Sequence, residues 1–181
     1  MKTAQQLRKD NIAEYLLYMW QIEDLLRACQ CNMEVVKQQI LPAFPEAERP
    51  QEEQWLSELC NMMHLEAVTE RGHLQINKNV LQDLTELHNL LLASQKFPYY
   101  NAAYYNTLPF IVELRAKAKE EAAPEIETCF NALYGKLMLQ LQHKPVSEGT
   151  QEAMKVITQF IAMLAGYYAD EKEGKLKLEE D

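Results

Sequence analysis

The chain has 181 residues, with 18 Lys and Arg against 27 Asp and Glu, a formal net charge of -9, 48% apolar residues and only 5 glycines. This length favours a single domain with a buried core, and the glycine-poor composition favours helices. The excess of negative charge argues against binding to nucleic acid and to anionic membranes. The sequence has no apolar run of membrane-spanning length and no signal-peptide core, so we expect a cytoplasmic protein.

Apolar residues recur at every third or fourth position in the N-terminal part of the chain, which is the helical period. The pattern predicts a first helix over about residues 4–29, a short second helix over about 32–41 that stops at Pro42, and a third over about 51–71. The segment from Pro45 to Pro50 reads as a linker. The predicted core stripes are Ile12, Leu16, Met19, Ile22 and Leu26 in the first helix, and Leu56, Leu59, Met63 and Ala67 in the third.

A tight connection is predicted after the third helix. Gly72 stands where a left-handed C-terminal cap is wanted, and Asn77 or Asn79 can cap the next helix by accepting a backbone N–H. The stripe predicted for this fourth helix consists of Val80, Leu84, Leu87 and Leu91.

Prolines mark the start of two further helices. The fifth helix begins near Pro98 and runs to about Lys119, with a kink expected near Pro109, and the sixth begins at Pro124. Ser147 or Thr150 caps a seventh helix. The predicted core residues are Ile126, Phe130, Leu133, Leu137 and Leu141 in the sixth helix, and Met154, Ile157, Ile161, Leu164 and Tyr168 in the seventh.

These elements predict an all-α fold, a single-domain bundle of about six to seven helices. The domain is expected to cover residues 1–170, and residues 171–181 are read as a charged tail with too little apolar surface to order itself. The cysteines Cys29, Cys31, Cys60 and Cys129 lack the paired spacing of a disulfide framework or a zinc site, so we interpret them as packed free thiols.

Charged residues interrupt several predicted apolar stripes. Glu23 falls on the stripe of the first helix with Arg27 one turn later, Glu66 and Glu70 lie near the stripe of the third, and Arg115 lies on that of the fifth. The favoured interpretation is a buried salt-bridge network in which Arg115 or Arg27 pairs with one of the three glutamates. The alternative is a cleft in which the arginines hold a small anionic ligand.

Glu70, His73 and His88 are weak candidates for metal ligands. Glu70 and His73 form a single Glu-x-x-His, whereas di-iron bundles need two such motifs and two further glutamates. We therefore favour no metal and predict no cofactor. The sequence also has no Gly-rich phosphate loop and no nucleophile motif, so the balance leans against an enzyme.

Two surfaces of the predicted helices attract attention. Ala162, Ala165, Gly166 and Ala169 are assigned to the side of the seventh helix opposite its stripe, and suggest self-association through a small-residue face. In the stretch QKFPYYNAAYYNTLPFIVELRAK, residues 95–117, the expected inner face holds Tyr100, Ala103, Tyr104, Thr107 and Ile111, while Tyr99, Ala102 and Asn106 point away. The tyrosine hydroxyls are expected to be hydrogen-bonded at the boundary of the core.

Long segments of the chain also suggest a family. The stretches KDNIAEYLLYMWQIEDLLRA (9–28), GHLQINKNV (72–80), YNAAYYNTLPFIVELRAKA (100–118) and EIETCFNALYGKLMLQLQ (125–142) resemble the Bacteroidetes helical family catalogued as domain of unknown function 4924. The resemblance implies an all-helical, single-domain cytoplasmic protein and assigns no reaction or site residue.

Two functions are therefore carried forward from the sequence. The first is a non-enzymatic interaction or scaffold protein that self-associates. The second is a metal-assisted or anionic-ligand-binding enzyme that uses the core-facing Glu, His and Arg residues.

Overall fold

The computed structural model describes residues 2–117 and 123–177. Within these residues the chain forms eight α-helices and no strand, so the all-α prediction is confirmed and the helix number is slightly higher than predicted. The helices are α1 Lys2–Asp10, α2 Ile12–Ala28, α3 Met33–Gln39, α4 Arg49–Leu65, α5 Gln75–Ala93, α6 Pro98–Ala116, α7 Glu125–Leu141 and α8 Glu148–Lys172. Two 3-10 turns, Leu41–Ala43 and Glu46–Glu48, connect α3 to α4.

The chain divides into two compact units, Met1–Val80 and Leu81–Asp181, with the boundary inside α5. We call them the N-terminal unit and the C-terminal unit. In the N-terminal unit α1 packs on α2 and α2 packs on α4, and in the C-terminal unit α6, α7 and α8 pack on one another. That both units form one cooperative domain, as the sequence suggests, stays a prediction.

The first predicted helix is in fact two helices that meet at Asn11. Asn11 has an extended backbone, and its Oδ1 accepts hydrogen bonds from the N–H groups of Ala13 and Glu14. An asparagine side chain that bonds the backbone in this way ends one helix and starts the next. The predicted core stripe of α2 is nevertheless confirmed, because all five of its residues are buried.

The third predicted helix ends earlier than expected, at Leu65. Ala67 takes a left-handed backbone (φ 54°), and the N–H of Val68 bonds the carbonyl of Met63 at 2.9 Å, so Ala67 occupies the cap position that was predicted for Gly72. Gly72 is left-handed (φ 87°) but lies in the loop before α5. Ala67 is consequently exposed and does not belong to the core stripe.

The start of α5 also corrects a prediction. The helix begins at Gln75, so Asn77 and Asn79 lie inside it and do not cap it. Glu66 supplies the cap instead, because its Oε2 accepts the backbone N–H of Gln75 at 2.6 Å. The predicted stripe of α5, from Val80 to Leu91, is buried as expected.

The helices of the C-terminal unit follow the predicted starts. Pro98 lies in the first turn of α6, Pro124 precedes α7, and the Ser147 side chain accepts the N–H of Thr150 at the start of α8. The predicted stripes are buried except at their ends, where Leu137 and Tyr168 are half-buried and Leu141 is exposed. The helix α8 runs to Lys172, so the first two residues of the predicted tail are helical, and residues 178–181 lie outside the described residues.

Pro109 lies inside α6 on its exposed side, and the helix continues through it to Ala116. A proline has no N–H to offer the carbonyl four residues earlier, which here belongs to the exposed residue Tyr105. Water has access to this side of the helix, and a kink at Pro109 stays a prediction.

Candidate functional sites

Glu23 is a buried carboxylate in the N-terminal unit, with 0% of its surface exposed. Its Oε1 accepts the backbone N–H of Leu74 at 2.9 Å and the Nδ2 of Asn77 at 2.7 Å, and its Oε2 lies 2.6 Å from Nδ1 of His73. Hydrogen bonds of this kind offset the loss of hydration that a buried charge suffers. The carboxylate thereby joins α2 to the first turn of α5 and to the loop before it.

Arg27 reinforces the same connection from one turn further along α2. Its Nη2 lies 3.7 Å from Oε2 of Glu23, and its Nη1 donates to Oδ1 of Asp24 at 2.6 Å. Its Nε donates to the carbonyl of Val68 at 3.2 Å, and Nη2 also donates to the carbonyl of Gly72. One guanidinium therefore binds two carboxylates and two loop carbonyls, which is a structural use of its donors.

His73 closes this group of side chains on one side. Its ring stacks on Trp20 with the ring centroids 4.1 Å apart and an angle of 12° between the planes. The histidine is half-buried, with 24% of its side chain exposed. Residues Glu23, Arg27, His73, Asn77 and Trp20, which we call the Glu23 network, hold the α4–α5 loop in place.

A second polar network lies in the C-terminal unit, where α5, α6 and α7 contribute to it. His88 is buried, and its Nδ1 lies 2.7 Å from the hydroxyl of Tyr100, which is also buried. Its Nε2 lies 4.0 Å from Oε2 of Glu125, and the same oxygen accepts the hydroxyl of Tyr104 at 2.9 Å. We call these residues, together with Arg115, the Glu125 network.

The hydrogen-bond pattern assigns the tautomer of His88. A buried hydroxyl has to donate its proton, and the acceptor for Tyr100 within the described residues is Nδ1 of His88. Nδ1 is therefore unprotonated in the neutral ring, and the proton sits on Nε2, on the side of Glu125. The pKa of His88 is lowered by burial, against the opposing effect of the Glu125 carboxylate, which favours this neutral form.

Other titratable groups near Glu125 are held in their protonated forms. Burial, and then the hydrogen bond to Glu125, raise the pKa of Tyr104 to about 12. Burial raises the pKa of Cys129 to about 12 and also raises the pKa of Tyr100. The hydrogen bond to Oε2 of Glu125 thus comes from the neutral hydroxyl of Tyr104, and the ring of His88 lies nearby without donating to it.

Arg115 stands at the edge of the Glu125 network. Its Nη1 lies 3.9 Å from Oε1 of Glu125, which is longer than a hydrogen bond, and 38% of its side chain is exposed. Its Nε is buried without a hydrogen-bond partner among residues 2–117 and 123–177. The guanidinium therefore keeps donors that the described part of the chain does not use.

The four cysteines are free and buried, as the sequence analysis predicts. Burial, and then the neighbouring thiols of Cys31 and Cys29, raise the pKa of Cys60 to about 12. A protonated, buried thiol is a poor nucleophile and a poor metal ligand. The thiol of Cys60 therefore serves packing.

The exposed side of α6 carries an apolar stripe of five residues, which we call the α6 outer stripe. All five are exposed, with Tyr105 65% and Val112 57% exposed, and they are spaced alternately three and four positions apart, as in the seam of a coiled coil. The stripe consists of Ala102, Tyr105, Pro109, Val112 and Ala116. Tyr99, which is 81% exposed, flanks it near the start of the helix.

A family model described as "Domain of unknown function (DUF4924)" matches residues 1–175. The chain belongs to the DUF4924 family. Comparison with curated proteins and with solved structures gave no match. No helix within the described residues is both long and apolar enough to span a membrane.

The predicted polar residues of this DUF4924 chain divide between several environments. The pairing of Arg27 with Glu23 is confirmed, but Arg115 pairs with Glu125, which is not one of the three glutamates predicted as its partners. Glu66 caps α5, and Glu70 is exposed. The five residues predicted as one cluster thus take part in different contacts.

The structure also gives positions for the metal candidates and for the small residues of α8. Within residues 2–117 and 123–177, no group of three or more His, Cys, Asp or Glu residues is arranged to hold a metal ion, which leaves Glu70, His73 and His88 without a shared site. In α8, Ala162 and Gly166 are exposed and Ala169 is half-buried. Ala165 is buried beside Leu164, so its assignment to the outer side of α8 is wrong.

The inner face of α6 matches its prediction. Tyr100, Thr107 and Ile111 are buried, and Tyr99 is exposed. The expected hydrogen bonding of the tyrosines is found at Tyr100 and Tyr104, but their partners, His88 and Glu125, are far away in sequence. A motif search does not find such partners, because the four residues come from three different helices.

Proposed function

We propose that this protein is a cytoplasmic interaction protein that self-associates through the α6 outer stripe. The observation that carries the proposal is a helix face that is both exposed and apolar along its length. Surface helices of soluble proteins usually turn a polar side to water, and an apolar side marks an interaction surface.

The spacing of the stripe favours a second copy of the same chain as the partner. Read from either end, the stripe runs from an alanine through one bulkier apolar residue, Tyr105 or Val112, to Pro109 at its centre. In an antiparallel pair with a twofold axis near Pro109, Tyr105 of one copy faces Val112 of the other, and Ala102 faces Ala116. A self-complementary patch of this kind is what a twofold dimer interface requires.

The exposed area is sufficient to contribute substantially to a dimer. The exposed fractions of Tyr99 and Tyr105, 81% and 65%, applied to the ~200 Å² that an aromatic side chain can bury, give about 300 Å² from two residues. A stable interface buries about 800 Å² on each partner. The nearby charged residue Glu113 is paired with Lys117 at 2.6 Å, so it presents a neutralised pair to a second copy.

The test is the oligomeric state of the full chain, measured by size exclusion with light scattering over a range of micromolar concentrations. We expect a dimer for the wild type and a monomer for the double variant Y105D/V112D, with unchanged helical circular dichroism. The matched control is L141D, which places an aspartate at an exposed leucine of α7 and should leave the dimer intact. A second comparison, A162D on the outer side of α8, tests the small-residue surface.

A wild type that is monomeric at every concentration would overturn the proposal. A dimer that A162D disrupts while Y105D/V112D leaves it intact would move the interface to α8 and overturn the role of the α6 outer stripe.

A further inference from the structure

Arg115 differs from the structural arginines of this chain in how its donors are used. Arg27 donates to the carbonyls of Val68 and Gly72, and Arg49 donates to those of Phe44 and Pro42, so both guanidinium groups bind loop backbone. Arg115 makes no such bond to the described residues, and its nearest acidic partner, Glu125, stays 3.9 Å away. The Nη groups of Arg115 donate no hydrogen bond within residues 2–117 and 123–177, and a guanidinium of this kind beside a partly exposed carboxylate is suited to bind a ligand.

Glu125 is held in position through Oε2, while Oε1 accepts no hydrogen bond from residues 2–117 and 123–177. Tyr104 donates to Oε2 at 2.9 Å, and Nε2 of His88, which carries the ring proton, lies 4.0 Å from the same oxygen. Oε1 is the oxygen that faces Arg115. Because Glu125 sits in the first turn of α7, the positive end of the helix dipole stabilises its charge.

Both charges can be reached from solvent. The side chains of Arg115 and Glu125 are 38% and 30% exposed, in contrast to Glu23, which is fully buried. Each charge stands near the end of a helix, Arg115 in the last turn of α6 and Glu125 in the first turn of α7. Groups fixed on helices are better organised for binding than groups on loops.

We propose that Arg115 and Glu125 bind a small molecule that carries a carboxylate next to an ammonium group, the chemistry of a free α-amino acid. The ligand carboxylate accepts hydrogen bonds from the guanidinium, and the ligand ammonium donates to Oε1 of Glu125. The ion pair itself combines one positive group with one negative group, which is the charge pattern that matches a zwitterion. A simple anion leaves Glu125 unpaired and close to a like charge.

The first experiment is a screen of the free L-amino acids against the full chain by NMR, followed by calorimetry for those that shift the signals. Each amino acid that binds is compared with its amide, which lacks the carboxylate, and with the matching carboxylic acid, which lacks the ammonium group. We expect at least one amino acid to bind at least about tenfold more tightly than both analogues, a difference of about 1.4 kcal/mol.

The second experiment assigns the two groups. R115Q should abolish binding, and R115K, which keeps the charge but loses the planar fork, should weaken it. E125Q should reduce the preference for the amino acid over its carboxylic acid analogue to near unity, a change that mere loss of stability does not produce. The control K117Q removes a neighbouring cation of α6 that is already paired with Glu113, and should leave binding unchanged.

If no amino acid binds, or if R115Q binds the same amino acid as tightly as the wild type, the proposal is wrong. These outcomes are independent of the oligomeric state, so the site and the α6 outer stripe are tested separately.

Discussion

Glu23 and Glu125 are both glutamates next to a histidine and an arginine. The two carboxylates nevertheless differ in how far they are buried and in how many hydrogen bonds they accept. Glu23 is fully buried and receives hydrogen bonds from a backbone N–H and an asparagine amide, with His73 also within hydrogen-bond distance. Glu125 is 30% exposed and, from the part of the chain that the structure describes, accepts one close hydrogen bond, from Tyr104. The same combination of residue types thus forms a structural connection in one unit and leaves open donors and acceptors in the other.

The largest expected effect comes from removing the carboxylate of Glu23. In E23A, the N–H of Leu74 and the amide of Asn77 lose their acceptor inside the protein, and Arg27 loses one of its two carboxylate partners. Breaking a buried charge network of this kind costs about 3–5 kcal/mol. Urea denaturation followed by circular dichroism measures the free energy of unfolding. The matched control is E70A, at an exposed position of the loop between α4 and α5. This variant should change the free energy of unfolding by less than about 0.5 kcal/mol.

A loss below about 1 kcal/mol in E23A would mean that the Glu23 network is not the connection between α2 and α5 that its hydrogen bonds indicate. The contrast between the two glutamates would then have no energetic basis.

Much of this fold was predictable because each helix buries a periodic apolar stripe. The stripe from Ile12 to Leu26 and the stripe from Val80 to Leu91 are buried as predicted. The helix ends were less predictable. Asn11 divides a continuous apolar pattern with two side-chain hydrogen bonds, and the non-glycine residue Ala67 takes the left-handed cap, because Arg27 and Glu23 hold the following loop in place.

The sequence indicated which charged residues lie on the inner faces of the helices, but it did not indicate which residues they contact. Glu23 was identified because a charge on an apolar stripe has to be compensated, and Arg115 was identified in the same way. Their partners depend on how helices distant in sequence meet. His73 directly follows Gly72, which has a left-handed backbone and lies in the loop between α4 and α5. Glu125 contacts Tyr104 and Arg115 only because α6 and α7 pack together.

The second expected effect is a loss of stability in acid that depends on His88. Burial holds the pKa of His88 in the folded protein below its ordinary value of 6.5, with Tyr100, Tyr104, Phe160 and the opposing charge of Glu125 around the ring. The unfolded chain therefore binds the proton more readily, and the free energy of unfolding falls as the pH drops below about 6.5, by at most about 1.4 kcal/mol per pH unit.

The measurement is urea denaturation between neutral and mildly acidic pH for the wild type and for H88Q. The wild type should lose more stability than H88Q over this range, because the other titrating groups are shared by both. H64Q, which changes an exposed histidine of α4, should keep the wild-type dependence. Parallel curves for the wild type and H88Q would show that His88 does not titrate against folding, and would remove the reason for assigning it the neutral form.

The smallest effect on stability is expected at Glu125 and its partner Arg115. The ion pair of Arg115 and Glu125 is more than a third exposed on the arginine side and its N–O distance is 3.9 Å, so its contribution is that of a surface pair, about 0–1 kcal/mol. R115Q and E125Q should each lower the free energy of unfolding by less than about 1 kcal/mol, while E23Q, at the closed site, should have a larger effect because its amide cannot accept all the donors around Glu23. If E125Q instead destabilises the protein as much as E23Q does, Glu125 is a second structural connection. Oε1 of Glu125 would then stabilise the folded protein, and a ligand at Arg115 would have to compete with that interaction.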